Sequence, residues 1–439
     1  MYKFRFPGRS SGSSGSVDTS GLLALAIVLP GLALSACSNS DSANTGRAFM
    51  DVTSSALSPV PPSLEDSFVA AADYDSNGYP DILLIGRDGG DRHTVLYQNQ
   101  TDGTFSEVAS SAFSPVPPSL ADGSVIFFDY NSDGHPDIVM TGSDGSDQHT
   151  LLYHNEGDGT FSDVTSTAFP PGTPNLEDSS IAVADYNSNG DFDILLTGWD
   201  GTDRHTLLYQ NQGDGTFSDV TSTALPAAAP DLANGSVVFF DYNSDGFPAI
   251  LLTGSDGTDR HTLLYHNQAN GTFSDLTLVA FSPVPPNLDD ASVAIADYNA
   301  SGHPDILLTG SDGTNRHTLL YQNQGDGTFS DVAASAFPVA PPNLSEGSVI
   351  FVDYNSDGHL DIVMTGWDGN DRHTLLYENQ GDGTFIDVTL SAFSPVPPNL
   401  AGSSVISVDY NLNGHPDIVL TGWDGADGNT LLYRNQTGE

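Results

Sequence analysis

Lysine is nearly missing from this chain of 439 residues: Lys3 and ten arginines make up its 11 basic side chains, against 57 acidic ones. The resulting net charge of −46 repels nucleic acid and anionic lipid and favours cations or neutral ligands. Solubility in a salty habitat and a set of cation ligands are the two sources such a charge can have. Only seven of the acids are glutamate, so the acidity is aspartate, and it is concentrated in turns. Cysteine occurs once, at Cys37, which excludes an internal disulfide framework. No segment shows a helical apolar period of any length. The apolar run at residues 21–36 has 16 residues, short of the ~20 that span a bilayer comfortably.

That run follows a basic start at Lys3, Arg5 and Arg9 and a Ser/Gly-rich stretch at 10–16, and it ends in L-S-A-C at 34–37. The ending resembles the lipobox of a bacterial lipoprotein signal. The resemblance implies cleavage before Cys37 and a diacylglycerol on its sulfur, with each buried methylene adding roughly 0.8 kcal/mol to membrane anchoring. An ordinary secretory signal that happens to contain a cysteine is the plainer alternative. The expected organisation is a signal peptide at 1–36, a polar tether at 37–46 and one folded unit at 47–439. The expected location is the bacterial cell envelope, at the outer membrane or cell surface, with the lipid anchor as its only membrane contact.

What is abundant is a repeat. Asp73, Asp129, Asp185, Asp241, Asp297, Asp353 and Asp409 each open the motif D-Y-[DN]-x-[DNS]-G-x-x-[DA], every copy 56 residues after the last. A fixed period of this size marks a repeat architecture. In the second copy, S-V-I-F-F-D-Y (124–130), D-I-V-M-T-G (137–142), T-L-L-Y-H-N (150–155) and F-S-D-V-T (161–165) read as four short strands joined by hairpins. The S-P-V-P-P stretches read as connectors, because proline cannot donate to a ladder. About six residues of polyproline geometry span ~19 Å, enough to return from an outer strand to the next inner one. A four-stranded antiparallel unit repeated seven times with such a link is an all-β, seven-bladed β-propeller. The last copy lacks a fourth strand, and A-F-M-D-V-T at 48–53 supplies it from the other end. Inner strands alternate in bulk: Phe127-Phe128, Phe239-Phe240 and Phe351-Val352 against Ala71-Ala72, Val183-Ala184 and Ile295-Ala296. All of these are expected in the core.

Within each acidic loop, oxygen-bearing side chains stand at positions 1, 3, 5 and 9, with glycine at 6 for the sharp turn. Calcium takes 6–8 hard oxygen ligands. The candidate ligands are Asp73, Asp75, Asn77, Asp81; Asp129, Asn131, Asp133, Asp137; Asp185, Asn187, Asn189, Asp193; Asp241, Asn243, Asp245; Asp297, Asn299, Ser301, Asp305; Asp353, Asn355, Asp357, Asp361; and Asp409, Asn411, Asn413, Asp417. An EF-hand is excluded, since its bidentate glutamate is replaced by Leu84 and the flanks are strands. Up to seven Ca2+ are expected, with the fourth site weakest because Ala249 replaces its ninth-position aspartate. Loops one, two and six keep three carboxylates each. Asx-rich turns without metal are the alternative.

This motif, with G-D-G-T-F-S-D-V-T and L-L-Y-x-N around it, resembles the FG-GAP or VCBS repeats of integrin-alpha-type propellers over residues 47–439. The resemblance implies structural calcium in the hairpin between the first two strands of each blade, and a role in adhesion or ligand binding.

Meander order sorts the loops onto two faces. Acidic loops and G-D-G turns share one; the loops between second and third strands and the proline connectors share the other. That second face carries all three tryptophans, Trp199, Trp367 and Trp423, at one equivalent position, followed by Arg204-His205 and Arg372-His373 in G-x-D-G-x-x-R-H-T. Aromatics beside charged groups suit sugar recognition. Packing of each tryptophan on the next blade, with Arg-His pairs bonded to local backbone or Asp203, is the competing reading. A catalytic constellation is not evident, because the histidines and serines recur with the repeat. The expected function is a monomeric, calcium-binding envelope module that is not an enzyme and takes an extracellular protein or glycan. A multivalent lectin and a polysaccharide-active enzyme are the alternatives.

Overall fold

A computed structural model describes residues 47–437; the signal peptide, Cys37 and the tether lie outside the described residues. Seven sheets follow one another along the chain. In blade one the inner strand Glu65–Ala72, the second Asp81–Asp88, the third Asp91–Asn99 and the outer Phe105–Glu107 pair antiparallel in sequence order. Blade seven consists of Ala401–Val408, Asp417–Trp423 and Gly428–Asn435. Its fourth strand is Phe49–Asp51, which pairs antiparallel with the third in the register Phe49↔Asn435. The ends of the propeller are thus locked by ladder bonds, as expected from the displaced A-F-M-D-V-T.

The core lies between blades, not within them. Ala70 and Ala72 of blade one pack with Val125 and Phe127 of blade two, and Ala182 and Ala184 pack with Phe239. Ala294 and Ala296 likewise meet Phe351. Small against large lets the inner strands crowd toward the axis without voids. Ala71 departs from the core expectation: it is only partly buried.

Two features correct the reading of the links as connectors that are neither helix nor strand. After each outer strand comes a single helical turn, such as Thr53–Ala56 or Thr165–Ala168. The aspartate of D-V-T sets it up: Asp163 Oδ1 accepts the Thr165 N–H at 2.9 Å. The start of the connector is itself a strand in four blades. Leu57–Ser58, Phe113–Ser114, Phe281–Ser282 and Phe393–Ser394 pair parallel with the outer strand of their sheet. The other three sheets have four strands. There Pro170, Pro226 and Pro338 stand at the serine position, and proline has no N–H for such a pair.

Candidate functional site

Loop one, residues 73–81, shows how each acidic hairpin is built. Asp73 Oδ1 accepts the Asn77 N–H at 2.9 Å and its Oδ2 the Gly78 N–H at 2.8 Å, so the first aspartate folds the loop around itself. Ser76 and Gly78 take φ of 58° and 92°, left-handed values that glycine adopts without penalty. The same two bonds recur for Asp129, Asp185, Asp241, Asp297, Asp353 and Asp409.

The ninth residue acts as a clamp. Asp81 is fully buried; its Oδ1 accepts the Asn99 N–H at 2.7 Å and its Oδ2 the Tyr74 N–H at 3.1 Å. Burial pushes this carboxyl, and those of Asp193, Asp361 and Asp417, up to about 8. Burial raises Asp137 and Asp305 to about 7. A dication beside these groups favours their ionised form. Ala249 offers no acceptor, so loop four lacks this clamp.

Only loop one, among the described residues, brings three acidic ligand atoms within 4.8 Å of one another, those of Asp73, Asp75 and Asp81. Loops two and six, expected to match it, do not gather their carboxylates this closely; Asp133 and Asp357 each accept an amide N–H, from Asn131 and Asn355, at 2.9 Å, as Asp75 does from Asn77 at 3.1 Å. Asn243 does the same to Asp245 in loop four. In loops three and seven the amides of Asn187 and Asn411 turn instead to Asp193 and Asp417, at 3.3 and 3.2 Å. Asn189 and Asn413 carbonyl oxygens accept the N–H groups of Asp191 and His415. In loop five Asn299 Oδ1 accepts the Ser301 N–H at 2.9 Å. The donor sets are all oxygen, which fits a hard cation such as calcium. Asp305 Oδ2 adds a specific sign of fit: it is a fully buried carboxylate oxygen with no hydrogen-bond partner.

The asparagine of L-L-Y-x-N, to which the sequence assigned no role, ties each loop to the next blade. Asn155 Nδ2 donates to Tyr74 O at 2.8 Å, and Asn99 Nδ2 to Tyr410 O at 2.9 Å across the closure. The sequence signal was its recurrence in all seven copies.

On the opposite face, residues at the start of the inner strands or just before them form a rim. Asp66, Asp122, Asp178, Asn234, Asp290, Glu346 and Gly402 occupy one equivalent position, all with left-handed φ between 44° and 55°. Backbone bonds run from one to the next: Asn234 N–H to Asp178 O, Asp290 N–H to Asn234 O, Glu346 N–H to Asp290 O and Gly402 N–H to Glu346 O, at 2.7–3.0 Å. This rim was missed in the sequence, where its residues vary too much to read as a motif.

The tryptophan-bearing loops flank it. Arg316 lies 3.9 Å over the Trp367 ring and Arg372 3.9 Å over Trp423, each arginine reaching from the preceding blade. Arg204 lies against Gly257 of the next blade, where an added Cβ would sit 2.4 Å from its guanidinium; the φ of 92° at Gly257 is what favours glycine in this turn. The histidines bond locally. His205 Nε2 is 2.8 Å from Asp200 and His373 Nε2 is 2.9 Å from Asp368, so the local partner is the aspartate of G-x-D-G and not Asp203. Trp199 pairs across its hairpin with Arg204. A cavity of about 430 Å³ opens between blades six, seven and one, lined by Glu65, Asp66, Glu346, Trp367, Gly402 and Trp423 among others. Arg87 at its edge is paired with Asp66 and Glu65.

These features define a seven-bladed β-propeller with an acidic hairpin loop in every blade. The FG-GAP-like repeat model matches residues 73–140, 129–196, 193–252, 241–308, 297–364 and 353–420, and the chain belongs to that family. Cartilage acidic protein 1 of Homo sapiens is 24% identical over 353 residues, covering 63% of this chain and 51% of its own. The T-cell immunomodulatory protein of Mus musculus is 24% identical over 394 residues, 79% of this chain and 62% of its own. Integrin alpha-7 of Rattus norvegicus is 28% identical over 254 residues, 55% of this chain and 19% of its own. This chain therefore spans about half the length of the cartilage protein, 51%.

Proposed function

We propose that this protein is a calcium-stabilised adhesion or ligand-binding module, held on a bacterial envelope by lipid on Cys37, that takes an extracellular protein or glycan at its axial rim. No catalytic step is part of the proposal. The observation that carries it is a break in the sevenfold pattern. Six rim positions bear Asp, Asn or Glu; the seventh is Gly402, and the cavity of about 430 Å³ opens beside it between Trp367 and Trp423. A repeat scaffold makes an asymmetric site most simply by deleting one side chain; Asp66 Oδ1 lies 2.7 Å from where a Cβ of residue 402 would stand, and the remaining space opens into the cavity. The family, which includes integrin alpha-7 and cartilage acidic protein 1 among this chain's relatives, is consistent with a binding role.

A lectin is the second reading, favoured by Trp423, which is 36% exposed beside Arg372 and Glu346. A flat apolar face next to charged hydrogen-bonding groups suits a sugar ring. The test is binding of the wild type, Gly402→Asp and Trp423→Ala to glycan arrays and to immobilised extracellular-matrix proteins. Loss of a wild-type signal in both variants is expected. Undiminished binding by both removes the rim from the proposal. Cys37→Ser should release the protein from the membrane fraction; a variant that still sediments with membranes rules out the lipid anchor.

A further inference from the structure

The residue written x in L-L-Y-x-N lies on the third strand, one residue before the asparagine that anchors each loop. In successive blades it is Gln98, His154, Gln210, His266, Gln322, Glu378 and Arg434. In several blades its side chain reaches the acidic loop of its own blade, although Gln98 and Glu378 also each accept from the glutamine two residues on. Gln98 Nε2 donates to Asp75 Oδ2 at 2.6 Å. His154 Nδ1 lies 3.0 Å from Asp137 Oδ1, and its Nε2 lies 4.0 Å from Asp133 Oδ2. His266 Nδ1 is 3.2 Å from the hydroxyl of Tyr242, the second residue of loop four. Glu378 Oε2 accepts from the hydroxyl of Tyr354, the second residue of loop six, at 2.8 Å. Arg434 interacts electrostatically with the buried Asp417 of loop seven.

We infer that this third-strand residue sets which loops take up calcium. The inference rests on the calcium reading above and ranks the sites by a residue outside the loop motif. Glutamine and histidine are neutral hydrogen-bonding partners that leave the loop charge unchanged. Glu378 brings a further carboxylate to loop six, held at the hydroxyl of Tyr354 between Asp353 and Asn355 in the sequence. It is half-buried, so its attraction to a dication is weakly screened. Arg434, also half-buried, puts a permanent positive charge at this position in blade seven, where it favours the ionised form of the buried Asp417. A guanidinium at this position acts as a tethered positive charge that repels a second cation. Loop six is then the tightest site and loop seven goes without metal. Loop four, short of its ninth carboxylate, keeps a weak site.

The test is the number of calcium ions bound per chain, by equilibrium dialysis and native mass spectrometry, with calcium titration calorimetry for affinity. Arg434→Glu is expected to add one ion, and Glu378→Arg to remove one and abolish the tightest class of site. Arg434→Gln installs the residue of blades one, three and five and is the milder variant, should a full charge reversal perturb folding. It is expected to add a weak site. Each charge reversal should change affinity at its loop by roughly tenfold or more, as expected for unit charges at close range. Calcium uptake by the wild type with stoichiometry and affinity unchanged in all three variants overturns this assignment alone. A wild type that takes up no calcium overturns the calcium reading together with it.

Discussion

Leu412 is the residue that least fits its place. Position four of every acidic loop takes a left-handed φ, and five of the seven loops place serine there. Leu412 adopts φ 57° with its side chain half in solvent. A γ-branched residue there bears the steric penalty of the left-handed region without packing in return. Leu412→Asn should stabilise the protein by about 1 kcal/mol, since asparagine tolerates this conformation. Urea melts of the two proteins check it, and an unchanged or lowered midpoint shows the strain is not felt. The opposite case is Asn323. Its amide donates to Tyr242 O and Pro304 O, both at 2.8–3.0 Å, and its carbonyl accepts the Gly325 N–H at 3.0 Å. Asn323→Ala leaves buried backbone groups unpaired and should cost about 2–4 kcal/mol, a loss readily seen in the same melts. These two residues differ in legibility. The asparagine was visible as a recurring letter with no stated partner, because its main acceptor belongs to the preceding blade.

At the scale of elements, the rim gathers like charges. Asp178 and Asp290 are pushed up to about 6, first by the desolvating surroundings of the rim and then by neighbouring carboxylates, Asp122 for Asp178 and Asp289 for Asp290. An unfolded aspartate titrates near ~3.9. The folded state therefore binds more protons in between, so stability falls as pH rises from about 4 to about 6 and levels off above that. Both side chains are solvent-accessible, so screening keeps the effect modest. Asp178→Asn should flatten this part of the pH profile and be more stable than wild type at neutral pH. Chemical denaturation midpoints in chelator at several pH values between 4.5 and 7.5 measure it. Parallel profiles for the two proteins exclude the rim as a source of pH dependence. Comparing variant with wild type cancels the contribution of the loop aspartates.

For the whole molecule, closure and the proposed calcium are the two global terms. Phe49 is fully buried, stacked on Phe393 with centroids 5.0 Å apart, and it carries the strand that joins the two ends. Phe49→Ala should cost about 3–5 kcal/mol and broaden the unfolding transition as blade seven loosens from blade one. A transition as sharp and as high as that of wild type shows that the strand is dispensable. Calcium removal should lower the melting temperature by many degrees, because clustered carboxylates repel one another without it. Affinities in the range of roughly 10⁻⁴–10⁻³ M are expected, as in extracellular modules. Superimposable melts in chelator and in millimolar calcium sink the calcium reading. Ala249→Asp is expected to raise calcium uptake and to stabilise the protein in calcium, because it supplies both a ligand and an acceptor for the Tyr242 and Asn267 N–H groups. In chelator its buried charge should offset that gain.

Period and local chemistry were sufficient for the blade count, the strand order within a blade, the closure by residues 48–53 and the inventory of loop oxygens. Each follows from short-range rules: alternation for strands, glycine and aspartate for turns, and a constant spacing for the repeat. What needed three dimensions were the relations between blades. The rim linked by backbone bonds, the arginines laid over Trp367 and Trp423, the asparagine bridges and the cavity beside Gly402 all join residues of different repeats. The fifth strand in four sheets belongs with them, since Phe113–Ser114 meets Phe161 only across a blade. Near-identical repeats show what every blade shares. Only the closed ring shows what it means that one blade lacks a rim side chain or carries Arg434 beside its loop.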